Sequence, residues 1–203
     1  AACDRDWIIL DAAFDGAPGG AWTPREIRTI RNGRPGRRVL AYLSIGEAED
    51  YRAYWRRAWD ANRDGRPDPG APAWLGNENP DWPSNYAVRY WQRPWQDIVL
   101  AQLNAIVRAG FDGVYLDLVD AFESFEYNAA TGQWIDHRRN PETGRTYRRD
   151  MIAWVQRVAA RARATRPAFL VVPQNGVQLL GSAAYRDTLS AIGVEDLFTL
   201  GNQ

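Results

Sequence analysis

Asp117 follows the apolar run Gly113–Leu116, and Glu195 follows Ile192–Val194. These are the acids best suited to chemistry. Asp11, Glu47 and Asn175 end three further apolar runs, and Asp120 lies one turn beyond Asp117. A pair of carboxylates can hydrolyse a glycosidic bond, one protonating the leaving oxygen while the other attacks or activates water. Carboxyl separations of ~5–5.5 Å give retention and ~6.5–9.5 Å inversion. Carboxylates crowded into one mouth titrate apart, so one can serve as acid and another as base near neutrality.

Composition removes most other chemistries. The 203 residues carry 25 cationic side chains, all Arg, against 25 acidic ones, so the net charge is zero. Without Lys there is no Schiff base and no phosphate-loop Lys. One Cys and one His exclude a Cys/His zinc site and a disulfide framework. The neutral balance argues against nucleic acid as partner. No apolar run reaches the ~18 residues of a membrane span, and no basic-then-apolar signal segment opens the chain. Ala1-Ala2-Cys3 reads as a lone buried thiol rather than a lipoprotein remnant. Ten Trp are unusual, and two readings stand: core packing, or stacking on the C–H faces of sugars.

The elements that must position the acids alternate strand and helix. Asp6–Leu10 is a strand, followed by a turn-rich stretch through Gly20. Thr23-Pro24-Arg25-Glu26 opens a helix with a capping box and Pro at its first position. Arg38–Ser44 is the next strand. Residues 48–95 form a long Trp-rich segment with a helix near 50–59 and a strand at Tyr86–Trp91. Pro94–Ala109 is an amphipathic helix stopped by Gly110. After the Asp117 strand, residues 128–147 read as a polar surface excursion. A helix at Asp150–Thr165, a strand at Phe169–Val172 ending in Gln174-Asn175, a helical piece at 183–191 and a strand at Ile192–Val194 complete the series.

Such alternation means parallel strands buried by crossover helices. No Gly-rich turn opens a helix after the first strand, which disfavours a nucleotide-binding sheet. Polar residues at five successive strand ends favour a (β/α)8 TIM-barrel type, incomplete here at about six βα units, as one domain over 1–203.

The segments YLSIGEAEDY (42–51), NPDWPSNYAVRYW (79–91), GFDGVYLDLVD (110–120), PQNG (173–176) and GVEDLF (193–198) occur in that order. Together they resemble glycoside hydrolase family 114, the endo-α-1,4-polygalactosaminidase-like barrels. The resemblance implies cleavage of α-1,4-linked galactosamine polymers outside the cytoplasm, with no obligatory cofactor. It implies Asp117 as nucleophile, hence retention, and Glu195 as acid/base. Gathered with Asp11, Glu47 and Asp120, these acids would attract the ammonium of a deacetylated amino sugar. Tyr42, Gln174 and Asn175 are candidate substrate-binding residues. Trp82, Tyr86, Tyr90 and Trp91 are candidate stacking platforms, at least two of them core. A related partly deacetylated hexosamine polymer, or a barrel that binds carbohydrate without cutting it, are the other readings.

A separate motif, Asp60-x-Asn62-x-Asp64-Gly65-x-x-Asp68, has the spacing of a calcium loop, with Ala71 where the bidentate Glu belongs. It reads either as a structural calcium site or as a solvated Asx-rich turn. His137, among Asp136, Arg138 and Arg139, is a surface residue, and no nucleophile elbow accompanies it.

Overall fold

The computed structural model describes residues 4–14 and 19–195. Cys3, part of the turn-rich stretch after Asp11, and the end of GVEDLF fall outside them.

In chain order the elements begin with β1 (Trp7–Asp11), α1 (Pro24–Asn32), β2 (Arg38–Ser44) and the short β3 (Glu47–Glu49). The hairpin strands β4 (Leu75–Asn79) and β5 (Trp82–Val88), the helix α2 (Arg93–Ala109) and β6 (Gly113–Asp117) follow. Then come α3 (Phe122–Glu126), the ribbon β7 (Tyr127–Asn128) and β8 (Gln133–Trp134), α4 (Tyr147–Arg163), β9 (Leu170–Pro173) and α5 (Ala183–Arg186).

The helix starts follow their local chemistry. Thr23 Oγ1 accepts from Glu26 N (3.3 Å) while the Glu26 carboxylate accepts from Thr23 N (2.8 Å), the reciprocal capping box expected. Gly110 ends α2 with φ 91°, a left-handed conformation that costs glycine little.

The centre is a parallel sheet in the order β1-β2-β6-β9. Tyr42 is level with Asp11 and Tyr115, and Asp117 is level with Ser44. One face packs Val39, Ala41, Leu43, Val114, Leu116 and Val171 into the core with Val99, Leu103, Ile106, Trp154, Val155 and Val158 of α2 and α4. The other carries Trp7, Ile9, Tyr42 and Tyr115, the face that would line a barrel. Trp7 and Ile9 there are 46% and 45% exposed. Among the described residues the barrel does not close.

Four expectations shift. The helix near 50–59 is a run of turns with a single 3-10 turn at Arg57–Trp59. Tertiary packing overrides helical periodicity here: Trp55, Trp59, Trp74, Trp95 and Tyr86 interlock ring to ring at 4.6–5.3 Å. The strand near 86–91 lies earlier, at Trp82–Val88, because the chain from Arg89 turns into α2. The helix at 183–191 is only α5. Beyond it the chain returns to the sheet, where Ser190 N donates to Val171 O (2.9 Å) and Ser190 Oγ accepts from Val171 N (3.1 Å). The Ile192–Val194 strand reduces to one parallel bridge, Gln174 to Gly193.

No helix among the described residues is long and apolar enough to cross a membrane.

Candidate active site

The C-terminal ends of β2, β6 and β9 bring the acids together. Asp117, the last residue of β6, accepts from Tyr42 Oη at Oδ2 (2.5 Å) and from Leu118 N at Oδ1 (2.8 Å). The turn after it is tightly shaped. Leu118 adopts φ 57°, and Asn175 after β9 adopts φ 59°. Non-glycine residues in this left-handed region are sparse and cluster where surrounding structure dictates a side chain's direction. A Cβ on Gly46 would stand 2.3 Å from Leu118 O and 2.6 Å from Ala121 Cβ. Glycine there lets the end of β2 press against the Asp117 turn.

Glu47, at the start of β3, is buried and accepts from Asn79 Nδ2 (3.0 Å). Burial pushes its carboxyl up. The Asn79 hydrogen bond opposes this, and Asp117, Glu49 and Asp120 reinforce it. Asp120 is also raised, first by burial and then by Glu123 and Asp117, against the hydrogen bonds from its own backbone and from Asn175. Asn175 therefore ties two turns together, because its Oδ1 also accepts from Glu195 N (3.1 Å). Glu195 is exposed.

Two residues absent from the sequence reading belong to this mouth. Tyr115 lies two residues before Asp117 on the same strand face. Burial raises its phenol, and the Glu195 and Asp117 charges raise it further. Its Oη would be 2.2 Å from a Cβ on Gly193, so the glycine of GVEDLF is what admits the ring. The alternation of β6 was the available signal: Asp117 and Tyr115 share a face by period two. Glu49 is the other. Buried on β3, it accepts from Arg52 Nε (2.7 Å) and Tyr51 Oη.

Arg52 also forks onto Asp11, with both guanidinium nitrogens at 2.7 Å from its two oxygens. Asp11 is thus at the mouth and held there by Arg52. By contrast, among the described residues no ion pair reaches Glu47, Asp117, Asp120 or Glu195. Four carboxyl groups thus share the mouth without an arginine partner among the described residues, in a chain of zero net charge.

Other sequence candidates lie elsewhere. Tyr86 is 3% exposed and donates to Asp60 Oδ2 (2.7 Å), so it is not a stacking platform. Tyr90 is buried, donating to Tyr147 O (2.8 Å). Trp91 packs against Phe125 and Tyr147, with Nε1 donating to Glu142 (2.9 Å). Both miss the mouth because residues 86–91 run back from the hairpin into α2. Gln174 is buried and continues β9, its N donating to Leu116 O (2.8 Å). Trp82 alone of these aromatics presents an open face, at 68% exposed.

In the 60–68 loop the acid oxygens accept from the loop's own N–H groups. Asp60 takes Asp64 N (3.2 Å) and Gly65 N (3.0 Å), and Asp68 takes Ala61 N (2.7 Å). Burial works against the Asp60 charge, but the hydrogen bonds from Tyr86, Gly65, Asp64 and Arg63 outweigh it and lower its carboxyl. Among the described residues no three His, Cys, Asp or Glu side chains group as a metal site would. The hydrogen-bonded Asx turn accounts for Asp60, Asn62, Asp64 and Asp68 as they stand. His137 is exposed, as expected.

The model of Glycoside-hydrolase family GH114 matches residues 22–199. Uncharacterized proteins of Deinococcus radiodurans and Thermotoga maritima are 41% and 38% identical, over 94% and 95% of this chain and 53% and 54% of their own length. The chain thus spans about half the length of the curated relatives it matches. Among solved structures, the glycoside hydrolase domain of PelA from Pseudomonas aeruginosa (TM-score 0.57, 19% identity) is similar over 95% of this chain and 60% of that one. Aspergillus fumigatus Ega3, solved in complex with galactosamine (TM-score 0.61, 19% identity), is similar over 93% and 66%.

Proposed function

The chain belongs to glycoside hydrolase family GH114, and on that footing we propose that it cleaves an α-1,4-linked, galactosamine-containing polysaccharide, with Asp117 as nucleophile and Glu195 as acid/base. The observation that carries this reading is the acidic mouth, where Glu47, Asp117, Asp120 and Glu195 converge without an arginine partner among the described residues. Such a mouth suits a sugar whose 2-position carries an ammonium rather than a neutral acetamide. Galactosamine bound to Ega3 is in keeping with it.

In this reading Glu195 gives its proton to the glycosidic oxygen as the bond to the anomeric carbon breaks. Asp117 closes on that carbon from the opposite face, forming a glycosyl ester. Glu195, now a carboxylate, takes a proton from water, whose oxygen displaces Asp117 and regenerates both groups with retained configuration. The Tyr42 and Leu118 hydrogen bonds hold the Asp117 carboxyl in place. No cofactor enters this sequence, and a polymeric substrate of this kind puts the work outside the cytoplasm.

Reducing-end release from deacetylated galactosamine polymer is the test, with wild type beside Asp117→Asn and Glu195→Gln. Loss of turnover by ~10³-fold or more in both variants, with polymer binding kept, is the expected result. Polymer binding without turnover in the wild type would favour a carbohydrate-binding barrel. Preference for another partly deacetylated hexosamine polymer would move the substrate and keep the mechanism. The anomer first released, followed by NMR, checks retention.

A further inference from the structure

The hairpin of β4 and β5 is held over the acidic mouth by Asn79. Its amide donates to Glu47 Oε1, and its own Oδ1 accepts from Asp81 N (3.0 Å) at the hairpin tip. Both ends of that amide are fixed. Asn79 is the cross-strand partner of Trp82. Partners in an antiparallel pair leave the sheet on the same face, with Cβ atoms ~4.5–5.5 Å apart. The indole of Trp82 therefore emerges beside the side chain that reaches Glu47.

This tryptophan differs from the others on the same insertion. Trp55, Trp59 and Trp74 interlock with Trp95 and Tyr86, which makes the base of the hairpin rigid, while Trp82 is 68% exposed. Its strand is braced just beyond it, where Ser84 at φ 73° donates its N–H to Glu78 Oε1 (2.6 Å). Trp82 thus offers a large aromatic face, on a stiff hairpin next to a polar cleft, that takes no part in that packing. The exposed pair Tyr127 and Trp134 on the β7–β8 ribbon is a weaker candidate, since those two rings pack on each other at 5.1 Å.

We infer that Trp82 is a sugar-binding platform flanking the cleavage site, and that its ligand is a pyranose within the polymer, one C–H face of which lies flat on the indole. The platform binds a neighbouring unit rather than the reacting ring, so it adds affinity for chains over short fragments. This inference rests on the carbohydrate reading of the site but not on its amino-sugar detail.

Trp82→Ala and Trp82→Phe test it; at so exposed a position both variants should fold as wild type does, which a melting curve checks. On galactosamine polymer, Trp82→Ala is expected to raise KM about tenfold, the loss falling on KM rather than kcat. On the shortest cleavable oligomer it should change KM by less than twofold, and Trp82→Phe should recover most of the polymer affinity. Unchanged KM on polymer, or equal loss on polymer and oligomer, overturns the inference while leaving the hydrolase reading intact. Electrophoresis through gels containing galactosamine polymer, its N-acetylated form or a neutral galactan reads binding without turnover. Retardation that depends on Trp82 in the galactan gel alone keeps the platform and removes the amino-sugar reading. Equal mobility of wild type and Trp82→Ala in all three gels overturns the platform.

Discussion

Gly193→Ala introduces one methyl group where Tyr115 enters the mouth. The added Cβ would lie 2.2 Å from Tyr115 Oη and 2.9 Å from its Cε2 and Cζ, against the 3.4 Å at which ordinary contact begins. One side must therefore give by about 1.2 Å, the difference of those two distances. The backbone at Gly193 is pinned on both sides, its N donating to Pro173 O (2.9 Å) and its O accepting from Asn175 N (2.8 Å), so the ring moves. Overpacking of this kind costs ~1–3 kcal/mol. For a chain of this size that is a fall in Tm of about 2–12 °C. A displacement of about 1 Å beside Asp117 and Glu195 should lower kcat by ~10²-fold. Calorimetry and reducing-end assays of Gly193→Ala, Tyr115→Ala and the double variant give the readout. The double variant should be more stable than the sum of the single losses predicts, by ~0.5–3 kcal/mol, while activity stays low because Tyr115 is gone. A Gly193→Ala protein with unchanged Tm, or strictly additive losses, would refute the contact and the placement of Tyr115 with it.

Glu47 titrates above the ordinary carboxylate range because it is buried among other acids, so its contribution to stability is complete below ~pH 4.3 and is lost as pH rises through the higher folded value. Glu47→Gln should gain in Tm on wild type as pH rises above ~4.3; a constant difference on both sides of that pH would count against the buried acid. Arg148→Ala should cost ~3–5 kcal/mol by chemical denaturation, because it strands the Glu126 carboxylate, 2% exposed and 2.7 Å from Arg148. Loss below 1 kcal/mol would show that water reaches Glu126. Chelation with EDTA should leave Tm unchanged, and Asp60→Ala should lower it, since Gly65, Asp64 and Tyr86 lose their acceptor. A rise in Tm on adding calcium would favour the metal reading of the loop over the Asx-turn reading.

The alternation of strand and helix, the capping box at Thr23 and Glu26, the stop at Gly110 and the acids that follow apolar runs were all legible in the sequence. Each is a local matter, set by periodicity, by a cap four residues long or by the residue that follows an apolar run. What the tertiary structure decided is which of those residues can meet. Asp11 is spent on Arg52, 41 residues away, and Tyr86 on Asp60, 26 residues away. No spacing rule links either pair. The helix expected near 50–59 fails for the same reason, since aromatic packing from distant positions outweighs local propensity. Tyr115 was legible in the alternation of β6 but gained meaning only once Gly193 lay against it. Whether an acid remains free at the mouth depends on which cations the fold brings within reach, because charge pairing acts through space and not along the chain.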